Sequence, residues 1–307
     1  MTSGTMSRAA RGGIEPQTSI PSFDLGGSGQ QVHFLHANGY PPDCYQELLQ
    51  RLRPEGHVFG MLLRPLWPNA DPQAISDWAP FSEDLRQFLE ERHALQVIGI
   101  GHSIGAVVTL RAALRDPDLF RAMILIDPVL LPQARMFQLR VARALGLANR
   151  LKGRIAGALG RRRHFDSLQK LFAGYRRRDV FRFFSDEYLR TLIRGMTRPA
   201  PDGGYGLVYS PEWEARIYET GIWNDWDIWR GIKQLRIPTL IMRGAETDTF
   251  WASTGRMMEQ RNPGIKVVSV AAATHLLPLE RPDEVFDIIR EFLEGVEKNT
   301  ASVKGKP

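Results

Sequence analysis

The sequence has a single cysteine, Cys44, and lacks any long uninterrupted hydrophobic run. One cysteine cannot form an intrachain disulfide or build a cysteine-rich zinc site, which favours a reducing compartment. A membrane-spanning helix needs about 18 or more consecutive apolar residues, and the sequence has no such stretch, so none is predicted. The first 19 residues also lack the apolar centre of a secretory signal. These absences together predict a cytoplasmic protein.

The rest of the composition is that of a globular protein. Of the 307 residues, 43% are hydrophobic and 24% are charged, which argues against a disordered or fibrous chain. The net charge of +6 is unevenly placed, since residues 132–236 hold 21 Lys and Arg against 10 Asp and Glu. Such a basic segment is typical of a site for an anionic ligand, of a membrane-surface contact, or of a nucleic-acid binder.

Short apolar runs alternate with segments of helical periodicity in two parts of the chain. These runs are the predicted strands, at residues 31–37, 58–63, 95–100, 122–126, 238–242 and 266–270. The alternation predicts an α/β fold with a mostly parallel central sheet and helices on both faces. After residue 128 it stops for about a hundred residues, which predicts a helical insertion between two parts of the sheet.

Residues 97–110 predict a reactive serine at a turn between a strand and a helix. An apolar strand runs into Gly101-His102-Ser103-Ile104-Gly105, and an apolar helix follows. This Gly-x-Ser-x-Gly pattern marks a nucleophile elbow, in which the serine occupies a strained turn and the glycines allow close backbone approach. The helix N-terminus also directs its dipole at developing negative charge. Ser103 is the predicted nucleophile, and His102 is interpreted as a packing residue.

A serine hydroxyl needs a histidine base that is held by a third group. For this elbow the chain order is serine, acid, histidine. His275 follows the last predicted strand and is the predicted base, whereas His164 lies among arginines in the insertion.

The acid is expected in the loop of residues 243–250, after the strand that ends at residue 242. Asp248 is the preferred candidate, and Glu246 is its local alternative. Asp127 lies just past an earlier predicted strand and is a further alternative, although an aspartate before Pro128 is also typical of a turn or cap.

A second oxyanion donor is expected from the loop after the first strong strand, residues 36–42. The backbone N–H groups of Asn38 and Ile104 are the predicted oxyanion pair, with the Asn38 side-chain amide as an additional donor. His36 is interpreted as a residue that braces this loop, with a substrate contact as the alternative. Trp251, just after the acid loop, is a candidate for lining an acyl pocket.

These segments, in this order, resemble the α/β-hydrolase superfamily. The resemblance rests on residues 101–105, on residues 243–248, and on Thr274-His275 followed by Glu280-Arg281-Pro282. The loop His36-Ala37-Asn38-Gly39 differs from the commoner His-Gly-x pattern and looks like a variant of bacterial hydrolases and some fungal acyl-CoA hydrolases. The resemblance implies an α/β-hydrolase core interrupted by a helical lid. The implied boundaries are a core at 22–131 and 221–295, a lid at 132–220, and flexible tails at 1–21 and 296–307.

The resulting prediction is a serine hydrolase that cleaves a carboxylic ester or thioester with a hydrophobic acyl part, without a cofactor or metal. Alternatives are an acyl-CoA thioesterase or C–C bond hydrolase of the same fold, and a ligand-binding member without catalysis. Family members that use an aspartate nucleophile, the epoxide hydrolases and dehalogenases, do not fit Ser103.

The lid sequence predicts one basic amphipathic helix over residues 135–163, with a break near Gly153 or Gly157. Its apolar face, predicted to pack on the core, consists of Phe137, Val141, Ala144, Ala148, Leu151, Ile155 and Leu159. The adjacent basic face is either a solvated surface or a contact for an anionic substrate or a membrane. Arg161, Arg162 and Arg163 suit phosphate because guanidinium groups match its geometry. No base-stacking or base-reading motif is present, so nucleic-acid binding is not expected.

Overall fold

The computed structural model describes residues 19–146, 149–221 and 225–304, and within these it leaves out the side chains of Arg143, of residues 149–151 and of residues 300–304. The strands are β1 (Ser22–Gly26), β2 (Gln31–Leu35), β3 (His57–Met61), β4 (Val97–His102), β5 (Phe120–Ile126), β6 (His164–Phe165), β7 (Thr197–Pro199), β8 (Tyr205–Leu207), β9 (Thr239–Gly244) and β10 (Ile265–Val270).

The α-helices are α1 (Gln46–Leu52), α2 (Ala79–Glu91), α3 (Ile104–Arg115), α4 (Gln133–Ala144), α5 (Asn149–Leu159), α6 (Leu168–Arg176), α7 (Asp186–Met196), α8 (Pro211–Thr220), α9 (Trp226–Gly231), α10 (Ala252–Arg261), α11 (Leu277–Glu280) and α12 (Pro282–Lys304). Short 3-10 helices cover Pro42–Tyr45, Arg53–Glu55, Arg64–Leu66, Pro72–Ala74, Pro117–Leu119, Asp179–Phe181 and Ile232–Gln234. Within the described ranges, no helix combines the length and the apolar character needed to cross a bilayer.

The described strands form a seven-stranded sheet in the order β1-β3-β2-β4-β5-β9-β10, together with a separate three-stranded sheet. In the large sheet β1 is antiparallel to β3, and the other neighbours are parallel. Because parallel strands end at the same edge of a sheet, the loops after β2, β4, β5, β9 and β10 meet there.

Both faces of the large sheet are covered, so its strands are buried on both sides. Side chains of α2 and α3 pack on one face in a cluster that includes Phe81 and Phe88. Side chains of α1, α7 and α12 pack on the other face, in a cluster that includes Leu48 and Ile289. This explains why β4 and β5 are apolar runs without polar alternation.

The α/β fold and its mostly parallel sheet are confirmed, and each of the six predicted strands overlaps an observed one. The edge strand β1 was not predicted. Neither was the small antiparallel sheet β6-β8-β7, because strands of two or three residues are too short to show alternation.

The segment predicted as a lid lies between β5 and β9 and is called the insert here, for residues 132–220. The prediction of one helix broken near Gly153 or Gly157 is wrong, because α4 ends at Ala144 and α5 contains both glycines. The predicted apolar face is also wrong in part, since Phe137 is 61% exposed and Leu159 is 49% exposed. Met136 is buried in its place. Ala148 and the side chain of Leu151 lie outside the described part of the chain.

Elements near both ends extend past the predicted boundaries of the core. Helix α12 continues nine residues past the predicted boundary, as far as Lys304, and Val296 is buried. Near the other end, Ile20 is buried in the main core. Residues 1–18 and 305–307 lie outside the described residues.

Two glycines in helices make a matched stability test. A Cβ at Gly105 would overlap the carbonyl oxygen of Leu35, whereas a Cβ at Gly153 meets nothing within 4 Å. Gly105→Ala should lower the free energy of unfolding by at least about 2 kcal/mol through steric strain. Gly153→Ala should raise it by about 0.5–1 kcal/mol because alanine is the better helix former. Urea unfolding measures both, and an unchanged Gly105→Ala protein would contradict the close packing of α3 on β2.

Candidate active site

The predicted nucleophile lies on a strained turn at the end of β4. Ser103 has φ 59° and ψ −119°, and α3 begins at the next residue. Its N–H donates to the carbonyl of Ile126 at 2.9 Å, which carries the β4–β5 pairing one residue further. A side chain at Gly101 would collide with the backbone of Gly105, so the turn requires glycine there. A non-glycine residue at positive φ that is held by its surroundings is typical of a functional site.

His275 lies in the loop after β10, and its side chain contacts Ser103. Its Nε2 lies 2.9 Å from Ser103 Oγ, and its Nδ1 lies 3.0 Å from Asp127 Oδ1. A carboxylate only accepts hydrogen bonds, so Nδ1 carries the proton and Nε2 accepts from the serine hydroxyl. The structure therefore brings the predicted nucleophile and the predicted base together.

Asp127, rather than Asp248, is the carboxylate that contacts the base. The preference for Asp248 is wrong: its side chain is 73% exposed and pairs with Arg154 at 2.5 Å. The alternative Glu246 is exposed and pairs with Arg182. Asp127 reaches the base because of the strand order. Strand β5 lies beside β4, and His102 is in register with Ile126. The residue after β5 is thereby placed next to the elbow.

Asp127 is completely buried and accepts hydrogen bonds from several donors. Its Oδ2 accepts from the N–H of Gly244 at 2.8 Å, and its Oδ1 accepts from the hydroxyls of Thr247 and Thr249 as well as from His275. Burial raises the pKa of Asp127, but the hydrogen bonds from His275 and the threonines outweigh it, and the net shift is downward. The carboxylate is therefore charged at neutral pH.

The threonines are site residues that the sequence analysis missed. Thr249 Oγ1 lies 2.8 Å from His275 Nδ1, so it contacts both the acid and the base. The loop of residues 243–250 was expected to supply a carboxylate, and it supplies hydroxyl groups to Asp127 instead. A threonine hydroxyl has no sequence pattern of its own, and only the adjacency of β5 and β9 reveals this role.

A buried chain of hydrogen bonds links three loops behind Ser103. The N–H of Ala37 donates to the Tyr45 hydroxyl, which donates to His102 Nδ1 at 2.7 Å. The opposite nitrogen, Nε2, donates to the carbonyl of His275 at 2.8 Å. Burial lowers the pKa of His102 to about 3, so its ring is neutral. His102 is therefore a packing residue, as interpreted from the sequence, and its ring holds Tyr45 and the loop of His275 in place.

The predicted oxyanion donors lie on two segments in close contact. Ile104 is the first residue of α3, and the first turn of α3 lies against the backbone of Leu35 and His36. The backbone N–H groups of Asn38 and Ile104 have no hydrogen-bond partner among the described residues. One hydrogen of the Asn38 side-chain amide is engaged, because its Nδ2 donates to the carbonyl of Glu214 at 3.1 Å. The amide has a second hydrogen, and its role as an additional oxyanion donor stays a prediction.

The two remaining predicted residues are placed differently. His36 is completely buried, with Nδ1 donating to the carbonyl of Ala37 and Nε2 accepting from the N–H of Leu63. It braces the loop, and the alternative of a substrate contact is wrong. Trp251 is half-buried and packs on the main core, so its role in an acyl pocket stays a prediction.

The arrangement has the parts of a nucleophilic acyl-transfer site: a hydroxyl, a base, a charged group that orients the base, and free backbone donors. In the described part of the chain, no group of three or more His, Cys, Asp or Glu side chains is arranged to hold a metal ion.

A family model described as the alpha/beta hydrolase family matches residues 34–288. The chain belongs to the α/β hydrolase family. The match spans β2 to α12 and includes Ser103, Asp127 and His275, so the predicted family and fold are confirmed.

Two curated proteins to which this chain is similar are named by their reactions. A (lyso)-N-acylphosphatidylethanolamine lipase of Bos taurus is 25% identical over 256 residues, which cover 78% of this chain and 70% of that protein. A pimeloyl-(acyl-carrier protein) methyl ester esterase of Legionella pneumophila is 23% identical over 274 residues, which cover 89% of this chain and 98% of that protein. Among solved structures, an E-2-(acetamidomethylene)succinate hydrolase has a TM-score of 0.72 at 19% identity, covering 89% of this chain and 94% of that one. This last similarity shows the shared fold.

The buried histidines of this hydrolase make its stability depend on pH. Burial lowers the pKa of His36 to about 4 and that of His102 to about 3, whereas an unfolded histidine titrates near 6.5. Below pH 6.5 the unfolded chain takes up protons that the folded protein does not, so stability falls. Each of these histidines should lower the free energy of unfolding by about 1 kcal/mol when the pH falls from 7 to 5.5.

Urea unfolding at the two pH values measures this difference. His102→Gln should reduce it by about 1 kcal/mol. A pH difference that His102→Gln does not reduce would contradict a neutral buried ring.

Proposed function

We propose that this protein is a serine hydrolase that cleaves a carboxylic ester or thioester through Ser103, His275 and Asp127. The observation that carries the proposal is the contact of 2.9 Å between Ser103 Oγ and His275 Nε2, with Asp127 on the other ring nitrogen. A ligand-binding protein without catalysis has no chemical need for this continuous chain of hydroxyl, base and acid.

In the proposed mechanism Ser103 Oγ attacks the substrate carbonyl while His275 Nε2 takes the hydroxyl proton. The resulting imidazolium is stabilised by the Asp127 carboxylate, which stays charged. His275 then donates the proton to the leaving alcohol or thiol, and an acyl-enzyme forms on Ser103. Water, deprotonated by the same nitrogen, hydrolyses that acyl-enzyme and restores the serine.

Negative charge on the carbonyl oxygen is stabilised by the N–H groups of Asn38 and Ile104. Their lack of partners among the described residues supports this role, because fixed donors need no reorganisation when the charge develops. The dipole of α3 adds to the effect at Ile104.

An ester is the favoured bond because the two curated relatives are a lipase and a methyl ester esterase. A hydrophobic acyl part is part of the proposal, with Trp251 as its candidate contact. An acyl-CoA thioesterase uses the same chemistry, and a panel of p-nitrophenyl esters and acyl-CoAs of different chain lengths separates the two.

Removal of the nucleophile is the first test. Ser103→Ala should lower kcat/KM for p-nitrophenyl butyrate by about 10³-fold or more, with an unchanged circular dichroism spectrum. A fluorophosphonate probe should label the wild type and not the variant. Ser82→Ala is the control, because Ser82 is also buried and its hydroxyl has no hydrogen-bond partner among the described residues. A fully active Ser103→Ala enzyme would refute the assignment.

The acid is tested by two aspartates that differ in placement. Asp127→Asn keeps the shape but removes the charge that orients His275, so kcat should fall by about 10²- to 10⁴-fold. Asp248→Asn removes an exposed ion pair with Arg154 and should change kcat by less than about threefold. Thermal unfolding of both variants checks that the fold is retained. The reverse order of effects would restore Asp248 as the acid.

A further inference from the structure

A separate cavity lies between α5 and α6 of the insert. Its volume is about 460 Å³, and the charged side chains that line it are Arg161, Arg162, Lys170, Arg178 and one carboxylate, Asp166. The lining therefore has a formal charge of +3. A concave surface of one sign concentrates counter-ions of the other sign.

Two of the four cations are already neutralised. Arg161 forms a largely buried ion pair with Glu214, and Lys170 pairs with Asp166 at 2.8 Å. Arg162, in contrast, makes no side-chain hydrogen bond or ion pair among the described residues, and its charge helps to lower the pKa of Asp166.

Arg178 is the second cation of the cavity without an ion pair. Its guanidinium lies over the ring of Tyr175, 5.0 Å from the ring centre, and it has no ion-pair partner among the described residues. An aromatic face positions a guanidinium without neutralising its charge. Arg162 and Arg178 thus face the same cavity from the two segments that form it.

The neighbouring arginine has a different role. Arg163 forms an ion pair with Glu212 on α8 and does not line the cavity. The cluster of residues 161–163 predicted from the sequence is therefore divided by the structure, and one member of it is available to an anion in the cavity.

The cavity has room for a group of several atoms. A Cβ at Gly157 or at Gly174 would meet nothing within 4 Å, and both glycines line the space. Guanidinium groups bind phosphate oxygens through paired N–H donors, which makes two arginines that line one cavity suited to a phosphate or diphosphate.

The ion pair between Arg161 and Glu214 connects the cavity to the loop of residues 36–42, which contains Asn38. Arg161 lines the cavity, and its Nη1 would lie 3.5 Å from a Cβ at Gly39. Its partner Glu214 accepts a hydrogen bond at its backbone carbonyl from Asn38 Nδ2. A group bound in the cavity is thus separated by one ion pair from the loop that holds the substrate carbonyl.

We propose that this cavity binds a phosphate or diphosphate group of the substrate, with Arg162 and Arg178 as the anion contacts. This inference rests on the proposed function and narrows its substrate to an ester or thioester with a phosphorylated arm.

Binding is tested with inorganic pyrophosphate as the probe, by isothermal titration calorimetry on the full chain. The double variant Arg162→Gln/Arg178→Gln should bind about tenfold or more weakly than the wild type. Arg163→Gln/Arg177→Gln is the matched control, because it removes two charges from the same segments at positions that do not line the cavity. Equal affinity of the two double variants would overturn the proposal.

The kinetic test compares octanoyl-CoA with the neutral p-nitrophenyl butyrate. The cavity variant should raise KM for octanoyl-CoA by about tenfold and leave kcat and KM for the neutral ester unchanged. The control variant should leave both substrates unchanged. If the wild type hydrolyses the neutral ester but the cavity variant keeps its KM for octanoyl-CoA, the phosphate site is refuted while the hydrolase assignment stands. Absence of any hydrolysis by the wild type refutes the hydrolase assignment itself.

A lipid headgroup is the other source of phosphate, and vesicles distinguish it. Sedimentation with phosphatidylcholine vesicles, with and without phosphatidylglycerol, is measured for the wild type and both double variants. Loss of vesicle binding in the cavity variant alone, without any effect on pyrophosphate or octanoyl-CoA, would overturn the proposal in favour of a membrane contact.

Discussion

The buried carboxylate of Asp127 is the interaction on which the geometry of the site depends. A charge removed from water is costly unless hydrogen bonds replace its hydration, and Asp127 is completely buried. Donors from β9, from the two threonines after it and from His275 supply those bonds. The loops after β5, β9 and β10 are thereby fixed to one group, and the orientation of the base follows from it.

The nucleophile and the base could be predicted from the sequence because each has a local signal. Ser103 lies in a pentapeptide between a strand and a helix, and His275 follows the last strand at the position that the chain order requires. The acid has no such signal, because carboxylates follow both β5 and β9. The choice between Asp127 and Asp248 depends on which strand lies beside β4, and strand order is a property of the whole sheet.

The insert was less predictable for a related reason. A helical wheel assumes one continuous helix, and the interruption between α4 and α5 rotates the two halves independently. The face of α4 that is buried then depends on which side chains pack against the core. Met136 is buried there, and Phe137, which was predicted to be buried, is exposed. The basic composition was evident from the sequence, but the carboxylates that neutralise Arg161 and Arg163 come from α8, about fifty residues away.

Two sets of contacts near the site respond differently to the ionic strength of the solution. On the side of the sheet, the hydrogen-bond chain through Tyr45 is buried, and dissolved ions have little access to it. On the side of the insert, Arg154 and Asp248 form an exposed ion pair of at most about 1 kcal/mol. Ionic strength therefore acts on one side only, because salt screens exposed charges over about 10 Å at 0.1 M. Salt thus weakens the attachment of α5 to the loop after β9 without disturbing the alignment of Ser103, His275 and Asp127.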